Sequence, residues 1–347
     1  MPNNRLERPA KISFGITEAC PLNCRHCYAD CARQPKPQEH GIAEWRDLAD
    51  QLIADGVIQI YIEGGEPLLK PGLVDLIAHC ARQAMVLLRT HATLIDAAMA
   101  TRLKSAGVGR VLVDLMGANA DTHDAATGTP GSFAASCDGL RHLREAGIAT
   151  DVLVILTRQT APELNALLRL AKELGAERVG ILRLYPLGRA CQRWSELALP
   201  LDGQMAAIAA LDPPPGLGVM QSWHPRDRNC CWQAAAVNAA GQAIGCMYLR
   251  DYVDFGPVMG PQAVPHRDVW DHHPLYLRLR DGDGIKEDCG ACSSDDGSRG
   301  GCRSTAFAFH GRWDAPDPFD APLNGGVDLT RLPGVAAGVP GGGPGRD

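Results

Sequence analysis

A chain of 347 residues, 45% hydrophobic and 21% charged, carries enough apolar side chain for a large core and is neither collagen-like, coiled coil nor plainly disordered. Its formal charge of −6, from 34 Lys+Arg against 40 Asp+Glu, offers no concentrated positive field for a nucleic acid, and no apolar run reaches the roughly eighteen residues of a membrane span. Thirteen cysteines in a chain this long, whose opening MPNNRLERPAK shows no apolar export core, point to a reducing cytoplasmic setting and to metal or redox chemistry rather than a disulfide scaffold. Residues 1–10 have no periodic pattern and are expected to be disordered. From Lys11 onward, short β-rich runs alternate with longer helical stretches. Strands are predicted at Lys11–Glu18, Val57–Glu63, Met85–Arg89, Arg110–Asp114, Asp151–Leu156 and Arg178–Leu184. Helices are predicted at Ala43–Ala54, Gly72–Ala81, Leu94–Ala106, Ser132–Ala146 and Ala161–Leu174, several closed by a glycine such as Gly107, Gly147 or Gly175. This rhythm reads as α/β, a partial (β/α)6 barrel over residues 11–190, with functional groups at the C-terminal ends of its strands.

After Leu184 the rhythm breaks. Residues 191–229 read as a linker containing the rigid Asp212-Pro213-Pro214-Pro215-Gly216. Residues 230–322 turn rich in Cys, Gly, Asp and His, as in a small domain held together by metal. The Gly/Pro-rich residues 323–347 are expected to form a disordered tail.

Two motifs carry chemistry. Behind the first strand stands Cys20-Pro21-Leu22-Asn23-Cys24-Arg25-His26-Cys27, a C-x3-C-x2-C loop whose thiolates can converge on one iron–sulfur cube and leave its fourth iron open. A zinc site is the alternative, with Cys31 as a fourth ligand. Behind the second strand stands Glu63-Gly64-Gly65-Glu66-Pro67; its glycines permit close approach to a ligand and its polar groups can accept from an ammonium.

This pairing of motifs resembles the radical S-adenosylmethionine (radical SAM) superfamily over residues 11–190. The resemblance implies a [4Fe–4S] cluster held by Cys20, Cys24 and Cys27. It also implies S-adenosylmethionine bound by Gly64, Gly65, Glu66 and Pro67, with Thr90, His91 and Asp114 facing the cofactor from the next two strands. In relatives the acidic position after the fourth strand falls where this chain has Met116. The implied reaction begins with reductive cleavage of S-adenosylmethionine to a 5′-deoxyadenosyl radical, which abstracts a hydrogen atom from substrate; a flavodoxin or ferredoxin is the implied electron donor. Arg183, ending the sixth strand, is read as a partner for a carboxylate.

The C-terminal cysteines are similar to the SPASM/twitch extension of that superfamily, which carries auxiliary iron–sulfur clusters. Cys231 and Cys246 flank Gly241, and Cys289, Cys292 and Cys302 follow. Two cysteines usual in relatives are missing, one near Ser298 or Arg299 and one near Phe319. One auxiliary cluster on Cys231, Cys246 and Cys302, completed by Cys230 or Cys191, is the simplest ligand set; Cys231, Cys246, Cys289 and Cys292 form another. Structural zinc at Cys289 and Cys292 is a third arrangement. Cys191 and Cys230 are also the candidate hydrogen-atom donors if the outcome is epimerisation. Cys80 and Cys137 sit in helical patterns as small buried hydrophobes, and His266, His272 and His273 read as solvated loop histidines. The expected function is tailoring of a small molecule, sugar or ribosomally made peptide by oxidation, epimerisation or crosslinking. A haem-pathway enzyme acting on a tetrapyrrole is the alternative, and a non-catalytic iron–sulfur or zinc protein is the contrasting class.

Overall fold

The alternation of β-branched runs with amphipathic helices builds a parallel sheet. The computed structural model describes residues 6–222, 234–281, 301–321 and 324–337. Its strands are β1 (Lys11–Gly15), β2 (Gln59–Glu63), β3 (Met85–Thr90), β4 (Arg110–Asp114), β5 (Thr150–Ile155), β6 (Arg178–Leu182), β7 (Gly218–Gln221) and β8 (Ala234–Val237). They lie in the order β7-β6-β5-β4-β3-β2-β1-β8, and every adjacent pair is parallel. β7 and β8 do not pair with each other, so the barrel is open on one side.

Parallel neighbours need crossover connections. These are α1 (Ile42–Ala54), α2 (Leu73–Cys80), α3 (Ala97–Ser105), α4 (Ala120–Thr127), α5 (Ser132–Glu145) and α6 (Leu164–Glu173). Each buries one stripe against the sheet: Trp45, Leu48, Ala49 and Leu52 of α1, and Leu164, Leu167, Leu168 and Ala171 of α6, both follow the i, i+3, i+4, i+7 spacing of a single helix face. The caps are local. Asp96 and Asn119 accept from Met99 N and Thr122 N, and Gly107, Gly147 and Gly175 take positive φ behind α3, α5 and α6. Outward side chains such as Phe14, Ile62, Val113 and Val152 are buried in the sheet–helix core, while alternate residues line the barrel interior.

The structure corrects the sequence reading in several places. The sheet has eight strands rather than six. β7 follows the proline-rich connector inside the expected linker, and β8, in the expected metal-bound domain, pairs with β1 through Lys11↔Ala234 to Phe14↔Val237. Beyond β6 come α7 (Arg189–Gln192), α8 (Trp194–Leu197), α9 (Leu201–Ala209), α10 (His266–His272), α11 (Pro274–Asp281), α12 (Arg303–His310) and α13 (Gly334–Ala337). Side chains from this part, including Phe255, Trp270, Tyr276 and Phe319, join the same apolar cluster as the barrel. Residues 324–337 are not a loose tail: Leu329 is buried, and its carbonyl accepts from Trp194 Nε1 at 3.0 Å. Residues 6–10 are likewise tied down, with Trp270 Nε1 donating to Glu7 O. Among the described residues no helix is long and apolar enough to cross a membrane.

Candidate active site

The cysteine loop is pinned at its base. Ala19 and Ala32 form a parallel bridge, with Cys20 N donating to Ala32 O at 2.7 Å and Ala32 N to Glu18 O at 3.1 Å. Residues 20–31 therefore leave and rejoin one point above β1. Two further elements hold the loop from outside. Asn23 N and Arg25 N donate to the carbonyls of Thr127 and Ala126, at the end of α4, both at 2.9 Å. Arg189 donates its backbone N–H to Cys27 O at 2.9 Å, and its guanidinium reaches Asn23 Oδ1 and Cys31 O. Cys20, Cys24, Cys27 and Cys31 thus pack into one small cluster. A hydrogen bond from Cys31 and the Arg189 guanidinium bring the Cys27 thiol down to about 5, against the effect of burial. The same contact and burial push Cys31 up. Burial and the neighbouring Cys27 and Cys20 hold Cys24 well above the ordinary thiol range.

The donor set fits a cubane. Each of three thiolates takes a different iron, so the ligands need not surround one point, and among the described residues no three His, Cys, Asp or Glu side chains do. Cys20, Cys24 and Cys27 line a cavity closed on its other sides by Gly64, Gly65, Thr90, His91 and Asp114.

The Gly-Gly-Glu-Pro turn meets this loop directly. Gly65 N donates to Thr17 O and Glu66 N to Ala19 O, both at 2.7 Å. A Cβ on Gly64, at φ +152, would lie 2.4 Å from Thr17 O, and one on Gly65 would lie 2.2 Å from Ala19 O. The close approach that requires glycine is thus to the start of the cysteine loop, not only to a ligand. Glu66 is fully buried and turned inward. Its carboxylate accepts from Leu68 N at 3.0 Å, from Thr90 Oγ1 at 2.7 Å and from His91 N at 3.2 Å, with His91 Nε2 3.0 Å away. Burial opposes its ionisation, but His91 and these bonds outweigh it and keep the carboxyl below its usual range. Burial also opposes charge on His91, yet Glu66 and Cys20 raise it to about 10. Glu66, Thr90 and His91 form one positioning cluster that fixes the turn, and Pro67 opens the short 3-10 turn that follows.

A second network, missed in the sequence, separates this cavity from the barrel interior. Arg89 clasps Asp114 through Nε to Oδ2 at 3.0 Å and Nη2 to Oδ1 at 2.9 Å, and donates to Tyr248 Oη at 3.4 Å. Glu63 lies 3.7 Å from Arg89 and accepts from Tyr28 Oη at 3.1 Å; burial raises its pKa, against Arg89 and Tyr28. Both Glu63 and Arg89 line the cysteine cavity and also a larger lumen of ≈ 510 Å³ inside the barrel. Strand parity held the signal: Tyr61 and Glu63, Leu87 and Arg89, and Leu112 and Asp114 are alternate residues facing inward.

Cys246 and Cys302 both line the lumen, Cys302 with its Sγ 3.9 Å from Tyr185 Oη and Tyr185 stacked on Tyr248 at 3.9 Å. Cys191 is not brought there. It lines a separate cavity with Asp30, Arg250, Asp251 and Tyr252, which removes the geometric basis for it as a hydrogen donor to a group in the lumen. Cys230, Cys231, Cys289 and Cys292 lie outside the described residues. Arg183 does meet a carboxylate, that of Asp317. His266, read as solvated, is buried in α10.

Outside the cysteine loop, burial holds two histidines, His123 and His266, at about 4. His123 Nδ1 accepts from Met116 N at 3.0 Å, which requires the neutral ring. Since the unfolded chain binds these protons near pH 6.5, stability is expected to fall as pH drops from about 6.5 to about 4, by roughly 1.4 kcal/mol per pH unit for each histidine. Urea unfolding at pH 7 and pH 5 measures the loss, and His266→Phe should remove that residue's share of the slope.

The sequence profile described as the Radical SAM superfamily matches residues 14–171. The AdoMet-dependent heme synthase of Methanosarcina barkeri is 26% identical over 90% of this chain and 96% of its own length. The PqqA peptide cyclase of Granulibacter bethesdensis is 26% identical over 90% and 87%. The crystal structure of Streptococcus suis SuiB bound to its precursor peptide SuiA superposes with a TM-score of 0.71 at 15% identity, covering 92% of this chain and 77% of that one. With the pinned cysteine loop and the Gly-Gly-Glu-Pro turn at the C-terminal ends of a parallel open barrel, the sequence match identifies residues 14–171 as a radical SAM domain.

Proposed function

We propose that this enzyme tailors a ribosomally made peptide, abstracting a hydrogen atom from an unactivated C–H position on the way to an oxidised or crosslinked product. The observation that carries the reading is the two-chamber layout, in which Glu63 and Arg89 line both the cysteine cavity and the barrel lumen. When bound, the superfamily's [4Fe–4S] cluster and S-adenosylmethionine supply the hydrogen-abstracting radical, with a flavodoxin or ferredoxin as the electron source. Cys20, Cys24 and Cys27 are the residues to hold the cluster, and Glu66, Thr90 and His91 fix the turn beside the cofactor. The Glu63–Arg89–Asp114–Tyr248 network orients what enters from the lumen. Cys246 and Cys302, which line the lumen, would contribute ligands to an auxiliary cluster there. The PqqA peptide cyclase likeness supports a peptide; the heme synthase likeness supports a second reading, a tetrapyrrole substrate.

Anaerobic, reduced protein incubated with S-adenosylmethionine is expected to release 5′-deoxyadenosine, measured by mass spectrometry. Alanine at Cys20, Cys24 or Cys27 should lower that release by at least about a hundredfold, as loss of a cluster ligand removes the reaction rather than tuning it. Undiminished release from the triple variant would overturn the assignment of the loop.

A further inference from the structure

The wall of the lumen indicates the kind of group it admits. Leu87, Leu112 and Leu153 form an apolar cluster there, with Tyr61 and Leu182 packed on it. Gly180 makes room for Leu153 to pack on the wall: a Cβ at that position would lie 2.7 Å from Leu153 Cδ2 and would push that side chain aside. The ionised side chains among the described residues on this wall are each already partnered. Glu63 and Asp114 share Arg89, Asp151 is held by Arg110 and Arg178, Arg183 is paired with Asp317, and Lys11 also has a partner. A carboxylate entering this space would lose its water without gaining a spare cation, whereas an apolar group would only exchange water for leucine and tyrosine surface. The volume, ≈ 510 Å³, falls within the range of about 300–1,000 Å³ usual for binding sites.

We propose that the group inserted into the lumen is an uncharged aliphatic or aromatic side chain of a peptide, with Leu153 and Gly180 setting its size. This rests on the peptide-tailoring reading and sharpens it, because a polycarboxylate tetrapyrrole is the substrate such a wall disfavours. Specificity of this type comes from area removed from water at the leucine cluster and from the cost of burying unpaired charge.

The test is equilibrium binding to the anaerobically reconstituted full chain, by calorimetry. The probes are blocked pentapeptides, acetyl-Gly-Gly-X-Gly-Gly-amide with X as Val, Tyr, Asp or Lys, and coproporphyrin III as the polycarboxylate. Val and Tyr peptides are expected to bind about tenfold or more tighter than Asp and Lys peptides, and tighter than the porphyrin. Gly180→Leu, which displaces Leu153 towards the lumen, should weaken the Tyr peptide more than the Val peptide, and Leu153→Ala should shift the preference the opposite way. If Gly180→Leu does not fold, as judged by its melting curve, the Leu153→Ala shift decides alone. Equal binding of charged and apolar peptides, tighter porphyrin binding, or no peptide binding overturns the inference. Release of 5′-deoxyadenosine in the same samples reads the parent assignment separately. Release with porphyrin preference leaves the enzyme class standing and removes only the side-chain proposal; apolar-peptide binding without release does the reverse.

Discussion

Gly65→Ala is expected to empty the radical-cluster site and to lower the stability of the chain by about 2–4 kcal/mol, a sum of overpacking strain and broken hydrogen bonds. The added methyl would lie 2.2 Å from Ala19 O and 2.7 Å from Ala19 C. These are backbone atoms, which cannot rotate aside as the end of a side chain would. Relief requires the two loops to part, and parting breaks Gly65 N to Thr17 O and Glu66 N to Ala19 O. Those bonds tie the Gly-Gly-Glu-Pro turn to the segment that delivers Cys20, so the damage reaches the proposed cluster ligands. The readout is iron per reconstituted chain, expected to drop by about four irons, one cubane, alongside the melting midpoint. Gly334→Ala, where an added Cβ meets nothing within 4 Å, is the control. Unchanged iron with an unchanged midpoint would show that the two loops do not depend on this contact.

That contact also marks the boundary between what was readable in the sequence and what was not. The cysteine loop and the Gly-Gly-Glu-Pro turn are short motifs at fixed spacing, and the strands before them alternate clearly, so both were legible. Gly107, Gly147 and Gly175 were legible as helix ends because a positive φ has few other occupants. The reason for the paired glycines was not: their neighbours Thr17 and Ala19 are more than forty positions away in the chain, and only the β1–β2 register brings them together. The same holds for Arg89 and Tyr248, joined across 159 positions. β8 was hidden because Ala-Ala-Ala-Val has neither alternation nor branched bulk; its place is fixed by pairing with β1. The cap of α5 was likewise hidden, because it comes from α4: Asp124 accepts from Gly131 N at 2.6 Å and Phe133 N at 2.8 Å. Residues 324–337 were misread because glycine and proline dominate the composition, while one leucine, Leu329, decides the packing.

Asp317→Ala is expected to cost about 3–5 kcal/mol, the penalty for stranding a buried charge. Asp317 is fully buried and Arg183 nearly so, and the two are in direct contact, joining the strand-end of β6 to the segment behind α12. Burial works against ionisation of Asp317, but Arg183, Cys302 N and Thr305 Oγ1 outweigh it and hold the carboxyl below its usual range. It accepts from Cys302 N at 2.9 Å, Thr305 Oγ1 at 2.7 Å and Phe319 N at 3.1 Å, so the group is well satisfied and its removal leaves several buried donors without a partner. The double variant Arg183→Met/Asp317→Leu removes both charges together and is expected to recover more than half of the loss, since apolar replacement of a buried pair is often near neutral. Urea unfolding of the two single variants and the double variant gives the coupling directly. A second readout follows from position: Asp317 fixes the backbone of Cys302, whose thiol faces Tyr185 and its stacked partner Tyr248. Loosening that backbone should weaken the near-ultraviolet circular dichroism of the tyrosine pair in Asp317→Ala even where the chain remains folded. Single variants that each lose less than about 1 kcal/mol, the range of an exposed pair, would show that this pair is not the tie between the barrel and its C-terminal segment.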